Sequence, residues 1–152
     1  MTSEIFLMKH VRALIAVVLS LFAVVSHACS CIQISDTQKF RNAEVVVVGV
    51  VLETRYVEDK TVLGGGYVRA KLAISEVLKG KVTTALTVND QIAETGMCSS
   101  NLRAGVEFVL FVDDRHEVGM CSGTRQLGGT VYDRGNNLME LRKLKAAATQ
   151  GL

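Results

Sequence analysis

The chain has 152 residues, of which 49% are hydrophobic and 21% charged, a composition that supports one folded domain and is too apolar for a disordered chain. Its formal charge is only +2, proline and tryptophan are absent, and aromatic residues make up 5%. Nucleic-acid binding uses strongly basic surfaces or aromatic side chains on which bases stack. We therefore expect no nucleic-acid partner.

Residues 1–28 have the pattern of a secretory signal peptide. Lys9, His10 and Arg12 form a basic region, and Ala13 to Val25 form an apolar segment of thirteen residues. Ser26-His27-Ala28 then places small residues at the two positions that signal peptidase recognises. Thirteen apolar residues are too few to span a bilayer, which needs about 20. Met8 is an alternative start of translation. The sequence thus predicts a leader at 1–28 and a single domain at 29–152, exported to the extracellular space or the periplasm without a stable membrane span.

Two alternatives to cleavage after Ala28 stay open, namely an uncut N-terminal anchor and lipidation of Cys29. A lipoprotein signal usually has leucine three residues before the cysteine, and this chain has Ser26 there. Because the leader contains two basic residues and one acidic residue, cleavage leaves 15 basic and 14 acidic residues. So balanced a surface gives no electrostatic reason to bind an anionic membrane.

The four cysteines of an exported chain are expected to form two disulfides. Cys29 and Cys31 are too close in sequence to favour a bond with each other, so each is expected to pair with Cys98 or Cys121. Both remaining arrangements tie the N-terminus across most of the domain. If the leader ends at Ala28, the α-amine of Cys29 is free and lies beside a disulfide.

The first elements after the leader are a short helix and a strongly apolar strand. Ser35-Asp36-Thr37 offers a helix N-cap, and Gln38 to Ala43 form one or two turns with Phe40 facing the core. Glu44 to Leu52 is rich in valine, which is typical of a strand that is buried on both faces or closed into a barrel. Gly49 within this strand predicts a bulge or a sharp bend.

The rest of the chain alternates strands with turns and ends in a helix. Tyr67 to Ile74 has alternating apolar side chains and continues towards Leu78. The next predicted segments are a hairpin loop at 55–66, a turn at Lys79–Lys81, a strand at Val82–Val88 with Leu86 and Val88 in the core, and a loop at 89–105. They are followed by a strand at Glu107–Val112, a hairpin tip at Asp113–Gly119 and a return strand from Met120-Cys121. The last is an amphipathic helix at Asn136–Ala148 with apolar Leu138, Leu141 and Leu144. About five short antiparallel strands predict a mostly β fold, a five-stranded OB-fold-like closed barrel with a short N-terminal helix and a C-terminal helix packed on it.

Several segments between residues 29 and 127 occur in an order that is more specific than any one of them alone. The mature chain begins Cys29-Ser30-Cys31, and the later segments are Phe40-Arg41-Asn42-Ala43 before the valine-rich strand, Ser75-Glu76-Val77-Leu78-Lys79-Gly80, Cys98 followed by Gly105 to Phe111, and Cys121-Ser122-Gly123-Thr124-Arg125. Together with the cysteine spacing, this set resembles the tissue inhibitors of metalloproteinases (TIMPs) and, more widely, the netrin-like domain.

The resemblance implies an OB-type barrel with packed helices and the disulfides Cys29–Cys98 and Cys31–Cys121. Inhibitors of this family place the N-terminal amine and the first carbonyl on the zinc of a protease, with the second residue in the specificity pocket. Carried over, the partner-binding residues are Cys29, Ser30 and Cys31, with Gly96, Met97 and Cys98 in the adjacent loop. Cys29 is then a main-chain ligand to the partner's zinc only, and the protein is expected to have no cofactor or metal of its own.

The sequence departs from the animal inhibitors in three ways. It lacks a third disulfide in this domain, lacks their C-terminal cysteine-rich subdomain, and has Gly96-Met97 before Cys98. The first two departures are compatible with the same fold. The third means that the sequence does not identify the target protease. The netrin-like superfamily also contains modules that bind proteins without inhibiting proteases, so the alternative is a secreted binding or structural module. In either case we expect a monomer whose partner is a zinc metalloprotease or another extracellular protein.

Catalytic residues are scarce in the mature sequence. His116 is the only histidine after the leader and lies on a predicted hairpin tip, so neither a Ser-His-Asp nor a Cys-His arrangement can be built around it. Asp113 and Asp114 are adjacent carboxylates in a turn, and the Gly64-Gly65-Gly66 loop lacks the Lys-Ser/Thr of a phosphate-binding loop. The sequence therefore predicts an inhibitor or binding module rather than an enzyme.

Overall fold

The computed structural model describes residues 31–61, 65–91, 99–128 and 131–149, with side chains from residue 134 onward in the last range. Within these ranges the protein is mostly β, with two α-helices and one 3₁₀ turn. The elements are α1 (Asp36–Asn42), β1 (Val45–Glu58), β2 (Gly66–Lys79), β3 (Ala85–Gln91), β4 (Glu107–Val112), β5 (Glu117–Val118), the 3₁₀ turn (Met120–Ser122), β6 (Arg125–Gln126) and α2 (Val131–Thr149).

Six strands form one curled sheet in the order β5-β3-β2-β1-β4-β6. Neighbouring strands are antiparallel except β3 and β5, which pair in parallel at two positions. β5 follows β4 through a tight turn, in which the N–H of Asp113 donates to the carbonyl of Glu117, and then lies beside β3. The two arms of the sheet therefore meet at this corner.

The prediction of a closed five-stranded barrel is wrong, because the sheet is a six-stranded half-barrel. No ladder joins β4 to β5 in the part of the chain that the structure describes, and β6 forms the edge beside β4. The reason is the length of β5. The two residues of β5 pair with β3 and are too few to pair with β4 as well, so the barrel stays open between β4 and β5.

The valine-rich strand is buried on both faces, as predicted. Val46 and Val48 pack with the two helices on one side of the sheet, while Val47 and Val51 face the core inside its curl. Burial on both faces removes the need for polar alternation and explains the unbroken apolar run. Gly49 is the site of a register shift, which confirms the predicted bulge, since a Cβ atom there would lie 2.6 Å from the carbonyl oxygen of Ala73.

Both helices cover the same side of the sheet. α1 begins after Ser35, whose side chain accepts a hydrogen bond from the N–H of Gln38 (3.2 Å), and it buries Phe40. In α2, Leu138 and Leu141 are buried and Leu144 packs against the same core, as predicted. α2 begins at Val131, five residues before the predicted start at Asn136. No helix in the described ranges is both long enough and apolar enough to cross a membrane.

Other predicted segment boundaries are also wrong. β1 continues to Glu58, so residues 55–58 of the predicted hairpin loop at 55–66 pair with β2 instead. β3 begins at Ala85 rather than Val82 and continues to Gln91, so that Val88 is fully buried and Leu86 only half-buried. Residues 89–91, predicted as loop, pair with β2. Met120-Cys121 starts a 3₁₀ turn rather than a strand, because the hydroxyl of Ser122 donates to the carbonyl of Gly119 (2.7 Å) and closes the turn.

Two arginines fix α2 to the sheet through paired hydrogen bonds. Arg142 donates from Nε and Nη2 to the two carboxylate oxygens of Glu76 on β2 (3.0 and 2.7 Å). Arg134 holds Glu107 on β4 in the same way (2.8 and 2.9 Å). These hydrogen bonds hold the pKa of each glutamate below its usual value, more strongly than partial burial raises it.

We predict that Glu76→Gln lowers the urea midpoint at pH 7 by about 0.2–0.4 M, the effect of losing a partly exposed ion pair. A carboxylate whose pKa is depressed by folding stabilises the protein above its unfolded pKa, about 4.3, and this contribution disappears as the pH falls through the lower folded pKa. The difference between wild type and variant should therefore vanish in acid. Urea unfolding followed by circular dichroism at pH 7 and pH 3 measures it.

The matched control is Glu140→Gln, which removes an exposed carboxylate paired with Lys143 within α2 itself. It should leave the midpoint nearly unchanged at both pH values. An equal effect of both substitutions at pH 7 would contradict a specific role for the Glu76–Arg142 pair.

Candidate N-terminal binding site

The described chain begins with an irregular segment, Cys31 to Ser35, that a disulfide joins to the 3₁₀ turn between β5 and β6. Cys31 forms a disulfide with Cys121, with a Cα–Cα distance of 5.3 Å across 90 positions of sequence. This confirms one of the two disulfides implied by the family resemblance. Closing so long a loop restricts the unfolded chain and stabilises the fold by roughly 4–5 kcal/mol in the chain-entropy model.

The attachment point on the sheet is itself well held. Cys121 lies in the 3₁₀ turn, and the turn leads to Thr124, which is buried. The side-chain oxygen of Thr124 accepts a hydrogen bond from the N–H of Phe111 on β4 (3.0 Å). The turn that carries Cys121 is thus hydrogen-bonded to a central strand rather than standing free in solvent.

The other end of the segment is fixed by α1. The ammonium group of Lys79 on β2 donates to the carbonyls of Phe40 (3.1 Å), Arg41 (2.8 Å) and Ala43, which are among the last acceptors of this helix. Asp36, in the first turn, forms an ion pair with Arg125 on β6 (3.0 Å). The four residues between Cys31 and α1 are therefore held at both ends.

The second segment of interest follows Cys98 and is held by Asp90. Asp90 is completely buried at the end of β3. Its carboxylate accepts hydrogen bonds from the hydroxyl of Ser99 (2.7 Å) and the N–H of Ser100 (2.8 Å). Burial raises the pKa of this carboxyl, although the hydrogen bonds from the serines act in the opposite direction. Asp90 thus ties the residues just after Cys98 to the core.

The two held segments approach one corner of the sheet. Asp90 pairs with Val118 of β5, and Cys121 lies three residues beyond Val118. Cys31 is thus attached to the turn that follows β5, and Ser99 to the strand that pairs with β5. Of the six predicted partner-binding residues, only Cys31 belongs to the described chain. Cys29, Ser30, Gly96, Met97 and Cys98 lie outside it, and the Cys29–Cys98 bond stays a prediction.

Apolar surface surrounds this corner. Ile32, next to the disulfide, is 88% exposed, and Met120 is exposed on the other side of the bond. A cavity of about 290 Å³ opens between the irregular segment, α1 and the β4–β5 turn, and its apolar lining includes Ile34, Phe111 and Val118. The corner is therefore suited to contact with another molecule.

His116 lies in the turn between β4 and β5. It is exposed, with a positive φ of 59°, and its backbone shapes the β4–β5 turn. Its N–H donates to the carbonyl of Asp113, and its own carbonyl accepts from the N–H of Asn89 on β3. Within the described ranges, no group of three histidine, cysteine or acidic side chains comes together as a possible metal site.

Asp90 is the structural residue that sequence reasoning missed. It was placed in a loop, because the strand was predicted to end at Val88. The pattern Leu86, Val88, Asp90 continues the alternation of the strand and puts the acid on the core-facing side. An acidic residue at a core position of a strand needs hydrogen-bond donors, and the serines after Cys98 supply them.

The comparisons with known proteins do not extend the resemblance read from the sequence. Neither the protein-family models nor the curated proteins include a significant match to the chain.

We predict that Asp90→Ala destabilises the protein by about 1–3 kcal/mol at pH 7, because the partly buried N–H of Ser100 loses its acceptor. Asp90→Asn keeps an acceptor of the same shape and serves as the matched variant. Urea unfolding measures both, and hydrogen exchange at the Ser100 amide reports the local loss. Slow exchange at the Ser100 amide in Asp90→Ala would contradict the anchoring role.

The pH dependence of the wild type relative to Asp90→Asn has a definite sign. Because burial raises the pKa of Asp90, the folded protein binds this proton more readily than the unfolded chain. The contribution of Asp90 to stability therefore grows as the pH falls from 7 towards the ordinary value, about 3.9. Wild type should gain stability relative to the asparagine variant over this range, and a constant difference would contradict the prediction.

Proposed function

We propose that the chain is a secreted inhibitor of zinc metalloendopeptidases, similar to the TIMPs, that acts through its N-terminal residues Cys29 and Ser30. The observation that carries the proposal is the disulfide between Cys31 and Cys121. It attaches the chain to the sheet only two residues after the predicted mature N-terminus. The Cys-X-Cys start and the ordered family-like segments supply the rest of the support.

The proposed mechanism is direct coordination of the protease's zinc. A catalytic zinc keeps one position open for water. The α-amine nitrogen and the carbonyl oxygen of Cys29 form a five-membered chelate with that ion and displace the water. Ser30, small and hydroxylated, then enters the specificity pocket. Because no peptide bond precedes Cys29, the protease finds nothing to cleave at this position.

A rigid terminus binds more tightly than a flexible one, because less free energy is spent on ordering it. Ordering a flexible backbone residue costs about 1–2 kcal/mol, and a partner must supply this energy on binding. The disulfide and helix α1 hold the chain from Cys31 onward, so this part of it needs no ordering when Cys29 and Ser30 bind a protease. Asp90 likewise holds Ser99 and Ser100, which directly follow Cys98 in the sequence, so a partner would not have to order these two residues.

We further propose that β1 to β5 are the strands of an OB-like barrel, which is often only partly closed. The parallel pairing of β3 with β5 and the short β4–β5 turn support this proposal. β6 is then an addition at the edge beside β4.

The alternative is a secreted netrin-like module that binds a protein without inhibiting a protease. The exposed Ile32 and Met120 beside the disulfide favour contact with a protein in either case. Only the α-amine distinguishes the two functions, because an apolar contact does not require a free N-terminus.

We predict that one extra alanine before Cys29 weakens inhibition by about 100-fold or more, because the amine moves off the zinc and the carbonyl loses its chelating partner. Inhibition constants against a panel of zinc endopeptidases measure the effect. The matched control adds one alanine after Leu152 and should inhibit like the mature protein. Equal inhibition by all forms, or inhibition by none, would leave the binding module as the function.

Inhibition should also weaken as the pH falls. The amine coordinates zinc only when neutral, and a free α-amine has a pKa of about 7.7–8.0. Below this pKa, protons compete with zinc for the amine, so the inhibition constant should rise up to about tenfold per pH unit. Inhibition constants from pH 8.5 to 6, corrected for the protease's own pH profile, check this. A flat profile would argue against coordination by the amine.

A further inference from the structure

Two arginines face each other on the outer surface of the β1–β2 hairpin. Arg55 on β1 is the direct antiparallel partner of Arg69 on β2, so their side chains leave the same face of the sheet. The neighbouring residues on the opposite face, Ala70 and Val88, are fully buried, which identifies the arginine face as the outer one. Cβ atoms of directly opposed residues lie about 4.5–5.5 Å apart.

Arg69 is held in place by neutral groups only. Its Nε donates to the side-chain oxygen of Asn89 on β3 (3.2 Å), and its Nη2 donates to the hydroxyl of Tyr67 (2.7 Å). The guanidinium carbon lies 5.4 Å from the centre of the Tyr67 ring. These contacts use one edge of the guanidinium and leave its charge unbalanced. The terminal edge, with Nη1, has no acceptor among the described residues.

No carboxylate of the described chain balances this pair of charges. Neither Arg55 nor Arg69 forms an ion pair within the described ranges, and Arg55 is exposed. On the same face Glu53 is opposite Lys71. Glu117, beside Asn89, is paired with Arg115 (3.2 Å).

Opposed like charges destabilise a sheet, so the pair weakens the hairpin unless something binds to it. By contrast, Arg134 and Arg142, on α2, each meet a glutamate across the fold. We propose that Arg55 and Arg69 form a binding site for a carboxylate of a partner protein. The free edge of Arg69 donates two parallel hydrogen bonds to the carboxylate oxygens, and Arg55 closes the other side.

The surroundings favour a carboxylate over a long polyanion. A nucleic acid or a sulfated glycan is held by a track of many cations. Here the two arginines and Lys71 are bounded by Glu53 on β1 and by Glu117 on β5. The planar guanidinium matches the two oxygens of a single carboxylate. The site lies on the outer face of β1 to β3 and does not depend on the proposed zinc coordination by Cys29.

The test is a titration of the mature protein, at low ionic strength, with the peptide acetyl-Glu-Asp-Glu-amide. The reported signal is the NMR shift of the Arg69 Nε–Hε group. Expected are saturable shifts with the acidic peptide and none with acetyl-Gln-Asn-Gln-amide. Arg55→Gln should weaken the association by about 5- to 10-fold, and Arg55→Lys, which keeps the charge but not the fork, should lie between. Arg41→Gln removes an exposed arginine on α1 and should leave the titration unchanged.

A second readout is independent of any ligand. Removing the like-charge repulsion should raise the unfolding midpoint of Arg55→Gln by about 1–2 °C without peptide. The site is refuted if Arg55→Gln and Arg41→Gln bind the acidic peptide equally. It is also refuted if the amide peptide gives the same shifts, or if a sulfated oligosaccharide shifts Arg69 while the acidic peptide does not.

Discussion

Burial of the first half of β1 on both faces is the constraint on which the rest of the molecule depends. Val46 and Val48 separate the core under the helices from Val47 and Val51, which face the core inside the curl of the sheet. β1 also pairs with β2 along most of its length and with β4 at its start. The first half of a strand in this position must be apolar on both faces, and the helices and the remaining strands pack around it.

The proposed binding corner follows from this central strand. α1 ends three residues before β1, so the chain between Cys31 and the sheet has little freedom. The disulfide to Cys121 then fixes its other end near β5, and Asp90 brings the residues after Cys98 to the same corner. The outer face of the β1–β2 hairpin, with its two opposed arginines, is a separate surface, and we propose it as a second contact with a partner.

The sequence predicts those elements whose burial leaves a repeated pattern. The valines of β1 and the spacing of Leu138, Leu141 and Leu144 were sufficient to predict β1 and α2, because each pattern reflects a continuous contact with the core. β5 and β6 have two residues each, too few to show any period, and they exist only because β3 and β4 lie beside them. The open barrel was missed for this reason. Asp90 was missed because its partners, Ser99 and Ser100, become its neighbours only in the folded chain.

The central claim, that the α-amine of Cys29 coordinates a protease's zinc, is tested most directly at the metal. Cobalt(II) can replace zinc in the endopeptidase that the mature protein inhibits best, and its visible absorption depends on the ligands in its open position. The proposal predicts a changed spectrum when the mature protein binds and the spectrum of the free enzyme with the form extended by one alanine. An inhibited cobalt enzyme whose spectrum stays that of the free enzyme would contradict it.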